Sequence, residues 1–226
     1  MYQACIFDMD GTILNTLDSL AYYGNRALAA MGQPPIETHD YRQMVGNGVY
    51  KLIDRILRHA GLAETQENKK KLYDLYTGLY EADPLYLVTA YDGMEALLRR
   101  LRQEGCKLAV LSNKPHSAAV FIAEKYFPGI FDWVQGQQDG VPAKPDPTAL
   151  LSILSRLGVT KEQTLYCGDS DVDMLTAQNA GVAGAGAAWG FRGREELVRS
   201  GAVFIAQSPA DLYPILRQTA EKPGGL

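Results

Sequence analysis

Short apolar runs that stop abruptly at a polar residue or a glycine recur along the chain. Three of them cover residues 4–7, 108–111 and 165–167. Nearly continuous apolar runs of this length are typical of strands that are buried on both faces of a parallel sheet. Two later apolar runs, at 182–188 and 202–206, predict two more strands. The pattern therefore predicts a largely buried parallel sheet.

Segments with helical periodicity separate these strands. The pattern predicts helices over 93–104, 117–126, 147–157, 171–180 and 209–219. We expect Asp171 to cap the helix that begins there, because a short acidic side chain can accept hydrogen bonds from the first free amides. The alternation of strand and helix predicts an α/β protein with a doubly wound, Rossmann-like parallel sheet.

Residues 16–86 interrupt this alternation. They contain three segments with helical periodicity, 17–31, 49–60 and 64–81, and no convincing strand. We therefore predict an all-helical cap domain over 16–86, inserted into an α/β core formed by 1–15 and 87–226. Movement between the two domains would hinge near 15–16 and 84–86. The tail at 222–226 is expected to fray.

Composition narrows the class of protein. The 226 residues include 22 basic and 26 acidic side chains, with a formal net charge of -4 and no long basic run. This balance argues against nucleic-acid and anionic-membrane partners. The N-terminal segment has neither a basic region nor a long apolar stretch, so a cytoplasmic location is expected. Cys5, Cys106 and Cys167 lie in or beside predicted strands and are expected to be buried free thiols. A monomer or a homodimer is expected.

Polar side chains follow the predicted strands at the point where each strand ends. They are Asp8 and Asp10 after the first strand, Ser112 and Asn113 after the second, Asp169, Asp171 and Asp173 after a later one, and Lys144 in a loop. Ligands bind beyond the carboxyl ends of the strands in open parallel sheets, so these groups are expected to share one site. Each residue taken alone is more often a turn former, a helix cap or a solvated side chain. Their joint occurrence in this order favours a functional site.

The acidic side chains of this site indicate a metal ion. Several carboxylates in one place repel each other unless a cation or a lysine offsets their charge. The motifs offer oxygen ligands and neither histidine nor cysteine, which favours Mg²⁺ over Zn²⁺. The three histidines, His39, His59 and His116, belong to no motif and are expected at the surface or at helix ends. Trp189 and Phe191 are expected to pack in the core or in a loop.

Four segments carry a resemblance to a known family. They are 8–12, the strand that ends at 111–113, Lys144, and 168–173. In this order they are similar to the four motifs of the haloacid dehalogenase-like superfamily, and the similarity spans nearly the whole chain. The resemblance implies a phosphatase with an α/β core and a helical cap, and an active site between core and cap.

The resemblance also implies a role for each residue that handles the phosphoryl group. Asp8 would be the nucleophile that forms an aspartyl-phosphate, and Asp10 would act as general acid and then as general base. The phosphoryl oxygens would be held by Ser112, by the amide of Asn113 and by Lys144.

The same resemblance implies the ligands of a magnesium ion. Mg²⁺ would be bound by the Asp8 side chain, the Asp10 main-chain carbonyl and Asp169. Asp173 would act indirectly, through the groups around the ion. Gly11 would let the chain turn tightly beside the nucleophile.

Asp10 separates the candidate reactions. Dehalogenases of this superfamily resemble the pattern but lack the second aspartate, so phosphoryl transfer is favoured. Sugar-phosphate mutases keep both aspartates and stay an alternative, as does a catalytically silent module that binds a phosphorylated ligand. A phosphonate hydrolase would need a lysine from the cap, and Lys51 on such a helix is more often solvated.

Two segments, 45–49 in the cap and 112–115, are most similar to phosphoglycolate phosphatases. This similarity implies a small phosphorylated metabolite as substrate, a phosphomonoester like 2-phosphoglycolate. The cap residues that would face the non-phosphate end of the substrate are Gly46, Asn47, Gly48 and Arg42.

Overall fold

The computed structural model describes residues 2–218. Its strands are β1 Ala4–Phe7, β2 Leu14–Asn15, β3 Thr89–Ala90, β4 Lys107–Pro115, β5 Trp133–Gln137, β6 Thr164–Gly168, β7 Ala183–Ala187 and β8 Phe204–Ala206. Six of them form one sheet in the order β5-β4-β1-β6-β7-β8, and every neighbouring pair is parallel. This sheet confirms the predicted α/β class.

Helices connect and cover the strands. They are α1 Leu17–Ala30, α2 Tyr41–Met44, α3 Val49–His59, α4 Gln66–Ala82, α5 Met94–Gln103, α6 His116–Tyr126, α7 Thr148–Leu157, α8 Asp171–Ala180, α9 Gly193–Arg199 and α10 Leu212–Arg217. Short 3₁₀ turns precede α2 and α10, at Thr38–Asp40 and Pro209–Asp211. The predicted end of the last helix at 219 and the predicted fraying of 222–226 lie outside the described residues.

The central strand β1 shows why its sequence is apolar throughout. Cys5 and Phe7 are fully buried in the hydrophobic cluster on one face of the sheet, and Ala4 and Ile6 in the cluster on the other face. Side chains alternate between the two faces of a strand, so burial of both faces requires every residue to be apolar.

The strand order places a binding site beside β1. From β1 the chain first adds β4 and β5 on one side and later adds β6, β7 and β8 on the other. Connections on the two sides of β1 therefore run in opposite directions along the sheet. In doubly wound sheets this reversal opens a crevice at the carboxyl ends of the strands, where ligands bind.

Helices α1–α4 form an insert between β2 and β3. These two short strands pair antiparallel, Leu14 with Ala90 and Asn15 with Thr89, and tie the two ends of the insert together. The described residues of the insert contain no strand, as predicted. Their apolar side chains belong to the same buried cluster as one face of the sheet. The division into core and cap at residues 16 and 86 stays a prediction.

Some elements differ from their prediction. Strand β4 continues beyond the predicted end at 111 to Pro115, with an irregular register after Leu111, so Ser112 and Asn113 lie inside the strand. Strand β5 and helix α9 were not predicted, because their short sequences mix polar and small residues. The prediction that Asp171 caps α8 was wrong. Ser170 is the N-cap residue and Asp173 accepts its main-chain N–H, while Asp171 is the first helical residue.

Two further expectations concern the cysteines and the membrane. All three cysteines are free thiols; Cys5 and Cys167 are buried, and Cys106 is half-buried. Between residues 2 and 218, no helix has both the length and the apolar character needed to cross a membrane.

Candidate active site

The loop after β1 carries the first predicted motif and turns sharply. The main-chain oxygen of Met9 accepts hydrogen bonds from the N–H groups of residues 12–14 at 3.1–3.2 Å. Gly11 has a φ of +81°, and a Cβ atom there would lie 2.2 Å from Oδ2 of Asp169. Glycine is required at this position, because the backbone is left-handed and the neighbouring carboxylate leaves no room for a side chain.

Three buried aspartates meet at the carboxyl ends of β1 and β6. One carboxylate oxygen from each of Asp8, Asp169 and Asp173 lies within 4.8 Å of the other two. Nζ of Lys144 lies 2.9 Å from Oδ1 of Asp8 and 2.8 Å from Oδ1 of Asp173. Lys144 donates a hydrogen bond to Asp173, whereas its contact with Asp8 is an ion pair without hydrogen-bond geometry. The structure thus brings together four residues that the sequence placed in one site.

Asp173 is surrounded by protein donors. Its Oδ1 accepts from Lys144 and from the hydroxyl of Tyr166 at 3.0 Å. Its Oδ2 accepts from the main-chain N–H and the hydroxyl of Ser170 at 3.1 and 2.6 Å. These bonds hold Lys144 and the loop before α8 in place, which fits the indirect role predicted for Asp173.

Burial and mutual repulsion set the charge state of the site. Burial raises the pKa of Asp8 to about 7, although the attraction of Lys144 opposes this shift. Burial also raises the pKa of Asp169 well above its ordinary value, and repulsion from Asp173 and Asp8 adds to the effect. Burial disfavours the charged form of Lys144, but Asp173 and Asp8 attract it, and the lysine pKa is raised. The site therefore favours binding of additional positive charge.

A hard divalent cation fits this donor set. Three carboxylates face one ammonium group, so ionised aspartates leave uncompensated negative charge. The converging groups are oxygens, which suit Mg²⁺ better than they suit Zn²⁺. Asp8 and Asp169 have the position to bind such an ion directly, since Asp173 is already occupied by its protein donors.

Residues 189–191 contact Asp169 of the acidic cluster and the loop after β1. The main-chain N–H of Phe191 donates to Oδ2 of Asp169 at 2.7 Å, and Nε1 of Trp189 donates to the carbonyl of Thr12 at 2.9 Å. A Cβ atom on Gly190 would lie 2.3 Å from Cβ of Asp169. The sequence favoured core or loop packing for Trp189 and Phe191 over packing beside the site, because no local pattern indicates contacts with segments so distant in the chain.

Ser112 and Asn113 lie in the buried part of β4 and line the same pocket as Asp8. Both are buried, and the hydroxyl of Ser112 accepts the main-chain N–H of Lys114 at 3.2 Å. The Asn113 side chain accepts the N–H of Lys144 at 2.9 Å and donates to the carbonyl of Gly46 at 3.1 Å. The Asn113 side chain therefore joins the lysine loop to the insert.

Lys114 is a site residue to which the sequence analysis gave no role. Its side chain is 4% exposed, and its Nζ lies 3.2 Å from Oδ1 of Asp10. The same Nζ donates to the hydroxyl of Tyr80 on α4 at 2.9 Å. Burial disfavours the ammonium, but Asp10 and Tyr80 stabilise it and raise its pKa. Lys114 is thus a buried cation beside the predicted general acid.

A pocket of about 190 Å³ lies above these residues, between the sheet and the insert. The core contributes polar groups to it, and the insert contributes a mainly apolar and aromatic wall. The wall residues from the insert are Leu20, Val45, Gly46, Gly48, Val49, Leu52, Tyr73, Tyr76, Thr77, Tyr80 and Glu81. The pocket is smaller than the ~300 Å³ or more that drug-sized ligands occupy. It therefore suits a small metabolite.

Not every predicted cap residue lines this pocket. Gly46 and Gly48 do, whereas Asn47 and Arg42 do not. Asn47 instead accepts a hydrogen bond from Arg55 at 2.8 Å, and the side chain of Arg42 is exposed. Lys51 is also exposed and outside the pocket, which removes the support for a cap lysine in catalysis.

None of the three histidines lines the pocket, although the neighbours of His116 in the chain, Pro115 and Ser117, do. His39 and His59 are exposed and lie 3.0 and 3.6 Å from the carboxylate of Asp40. His116 begins α6 and accepts the N–H of Gly136 at 3.2 Å. These are the surface and helix-end positions expected from the sequence.

Arg192 joins the core to the insert. Its guanidinium donates to the carbonyls of Arg42 and Val45 and to the side chain of Gln43. The Arg192 side chain is 5% exposed and lies 3.4 Å from Glu196. The insert is therefore held closed over the sheet by contacts from three core residues, Asn113, Lys114 and Arg192.

Comparison with known sequences gives the family. A family model of haloacid dehalogenase-like hydrolases matches residues 2–181. A phosphoglycolate phosphatase from Cereibacter sphaeroides is 36% identical over 178 residues, which cover 78% of this chain and 81% of the relative. Phosphoglycolate phosphatase 1 from Pseudomonas aeruginosa is 31% identical over 221 residues, covering 96% and 80% of the two chains.

Comparison with solved structures gives the same kind of relative. A protein from Lactobacillus delbrueckii subsp. bulgaricus, provisionally described as a phosphoglycolate phosphatase, has a TM-score of 0.91 at 30% identity and covers 95% of this chain and 98% of its own. The fold, the site and these matches define the class of protein: a hydrolase with an α/β fold and an acidic site at the carboxyl ends of its parallel strands. The chain belongs to the haloacid dehalogenase-like hydrolase family. Its predicted resemblance to phosphoglycolate phosphatases is confirmed.

Proposed function

We propose that this protein is a magnesium-dependent phosphatase that hydrolyses a small phosphomonoester, of the kind represented by 2-phosphoglycolate, through an aspartyl-phosphate on Asp8. One observation carries the proposal: Asp8 follows the central strand, pairs with Lys144 at 2.9 Å, and meets Asp169 and Asp173 beneath a small pocket between the sheet and the insert. The names of the relatives support the substrate class.

The first half of the reaction forms the enzyme intermediate. A carboxylate oxygen of Asp8 attacks phosphorus, and the bond between phosphorus and the ester oxygen breaks. Asp10 gives its proton to the departing oxygen, so the leaving group departs as an alcohol. Lys144, Ser112 and the main-chain amide of Asn113 hold the phosphoryl oxygens while their charge is redistributed.

The second half releases phosphate. Asp10 accepts a proton from a water molecule, whose oxygen attacks the phosphorus of the aspartyl-phosphate. The bond between phosphorus and the Asp8 oxygen breaks, which restores the carboxylate and yields inorganic phosphate. Asp10 is protonated again and ready for the next substrate. The apolar and aromatic wall from the insert limits the access of other acceptors to the intermediate.

Magnesium would be held by Asp8, the main-chain carbonyl of Asp10 and Asp169. When bound, it supplies positive charge that reduces the repulsion between the Asp8 carboxylate and the phosphoryl oxygens. A cytoplasmic location and action on a metabolite belong to the same proposal. The net charge of -4 supports a small substrate over a nucleic acid.

Phosphate release tests this function. We expect the wild-type protein to release phosphate from 2-phosphoglycolate with Mg²⁺ and not with excess chelator. Asp8→Asn should lower kcat by about four orders of magnitude, as expected when a covalent nucleophile is removed. The matched control is Asp139→Asn, since Asp139 is exposed and outside the pocket. Full activity in Asp8→Asn or in chelator would refute the proposal. Sugar phosphates are tested in the same assay, and isomerisation of a sugar phosphate without phosphate release would indicate a mutase. No turnover of any of these compounds would indicate a silent binding module.

A further inference from the structure

We propose that Lys114 is the specificity residue of the pocket, and that its ammonium binds a carboxylate carried on the leaving group of the substrate. This assignment rests on the proposed function in one respect, that the phosphoryl group lies at Asp8. It extends that function by naming the feature by which the enzyme selects its substrate, an anionic group close to the ester oxygen.

The position of Lys114 relative to Asp10 defines where that group must lie. Asp10 is placed to protonate the ester oxygen, and Nζ of Lys114 is 3.2 Å from its Oδ1. In an ester where one carbon atom separates the ester oxygen from a carboxylate, the ester oxygen and the nearer carboxylate oxygen lie about one hydrogen-bond length apart. Such a substrate can contact Asp10 and Lys114 at the same time.

The ammonium of Lys114 has a donor to spare. A lysine ammonium has three N–H donors. In the part of the chain that the structure describes, its nitrogen contacts Oδ1 of Asp10 and the hydroxyl of Tyr80, at 3.2 and 2.9 Å. Both partners line the same pocket as Lys114 itself. A third bond from this nitrogen can therefore be made to a ligand in the pocket.

Lys114 is also the cation that would compensate the charge of an anionic leaving group. Of the described residues that line the pocket, Lys114 alone is a lysine or an arginine. The opposite wall consists of apolar and tyrosine side chains from the insert, with Glu81 exposed at its edge. A carboxylate directed toward that wall would meet neutral hydroxyl donors from the tyrosines and Thr77, whereas at Lys114 it would gain a charge-assisted hydrogen bond.

The Tyr80 hydroxyl makes this selection depend on closure of the insert. Tyr80 belongs to α4, and its ring stacks on Tyr76 with centroids 6.1 Å apart. Its hydroxyl fixes the end of the Lys114 side chain from the insert side. The ammonium is therefore held in position by one group from the core and one from the insert.

Binding of matched non-hydrolysable ligands tests the assignment. The two ligands are 3-phosphonopropionate, which places a carboxylate where 2-phosphoglycolate has one, and propylphosphonate, which lacks it. Calorimetry with Mg²⁺ should show that wild-type protein binds 3-phosphonopropionate roughly 10- to 100-fold more tightly, the range expected of a hydrogen bond to a charged group. In Lys114→Met this ratio should fall to about 1, and in Tyr80→Phe to an intermediate value.

A control variant separates a specific contact from a general loss of charge. Lys51→Met removes the same charge from an exposed position and should leave the ratio unchanged. If Lys114→Met binds neither ligand, Lys114→Gln is measured in the same way, with binding of propylphosphonate as the evidence of folding.

The outcomes also distinguish a specificity role from a positioning role and from failure of the proposed function. If the wild-type protein binds 3-phosphonopropionate and propylphosphonate equally tightly, the assignment is overturned. The same holds if the ratio of the two affinities is unchanged in both Lys114 variants. Rates on 2-phosphoglycolate and ethyl phosphate add a second readout: if Lys114→Met lowers kcat equally on both and preserves their ratio, Lys114 only positions Asp10. If the ligand ratio behaves as expected but no phosphomonoester is hydrolysed, the proposed function fails and the carboxylate site stands.

Discussion

At the scale of single residues, the acidic cluster ties protonation to metal binding. Asp8, Asp169 and Asp173 lie close together around the one ammonium of Lys144. Burial raises the pKa of Asp8 to about 7 in the metal-free protein, so this carboxyl group holds a proton over much of the acidic range. A metal ion needs the ionised form and must displace that proton.

We predict that Mg²⁺ binds less tightly as the pH falls below about 7. The folded pKa of Asp8 lies above its ordinary value, so between about pH 4 and pH 7 the native metal-free state binds more protons than the unfolded state. The contribution of Asp8 to stability is therefore present at low pH and lost as the pH rises to 7, unless Mg²⁺ replaces the proton. Calorimetry near pH 6 in buffers of different ionisation enthalpy should detect proton release on Mg²⁺ binding. An affinity that stays constant from about pH 5.5 to pH 8 would contradict this prediction.

Gly11 offers a second test at this scale. Gly11→Ala places a methyl group 2.2 Å from Asp169, and Gly32→Ala is the matched control because Gly32 also has a positive φ but no atom within 4 Å. Both variants lose roughly 1–2 kcal/mol from the left-handed backbone. We expect Gly11→Ala to lose about 1–3 kcal/mol more and to lose Mg²⁺ binding. Urea unfolding and Mg²⁺ titration measure the two effects, and equal losses with normal Mg²⁺ binding would disprove the explanation.

The sequence identifies residues whose position follows from a strand end. Asp8 and Asp169 come directly after apolar runs, so the sheet alone brings them together. Lys114 could not be assigned in this way, because its partners Asp10 and Tyr80 lie in remote segments. An isolated lysine is usually solvated, and only the packed insert shows that this one is buried.

At the scale of elements, the loop 45–48 between α2 and α3 is one of the parts of the insert that touch the core. Arg192 donates to Val45, Asn113 donates to Gly46, and Arg55 donates to Asn47 within the insert. The loop sequence alone has two glycines and little intrinsic order. Donors from β4, from α3 and from the loop before α9 therefore fix it over the pocket.

We predict that Arg192 stabilises the closed position of this loop. Arg192→Met keeps the apolar stem and removes the bonds to Gln43 and Val45, which should raise KM roughly 10-fold and speed amide exchange in 45–48. Arg194→Met is the control, because Arg194 is exposed and lies two residues away. Unchanged exchange in 45–48 with Arg192→Met would show that the loop is held by its other contacts.

Boundaries of helices and strands were predictable where the sequence changes abruptly between apolar and polar residues. Helix α8 begins at 171, as predicted, and β6 ends at 168, one residue after the apolar run 165–167. The extension of β4 to Pro115 was not predictable, because Ser112 and Asn113 are polar and the pairing with β5 resumes at Pro115 only after an irregular register. Strand β5 has the same origin: its sequence Trp-Val-Gln-Gly-Gln lies at the sheet edge and is only partly buried.

At the scale of the whole molecule, the pocket of the candidate active site lies between the parallel sheet and the helical insert. The alternation of strand and helix predicts the sheet and where its carboxyl edge gathers ligands. The break in that alternation predicts the helical insert. The packing of α4 over Lys114 was not predictable, since helical periodicity shows that a helix has a buried face but not what that face contacts.

Identification of the phosphorylated residue tests the central claim most directly. Wild-type protein with Mg²⁺ and 2-phosphoglycolate is quenched in acid within one turnover, digested and analysed by mass spectrometry. The account predicts one phosphoryl group on the peptide that contains Asp8 in the wild-type protein, and none in Asp8→Asn. Phosphate release without any phosphorylated Asp8 peptide, or a phosphoryl group on a different residue, would contradict it.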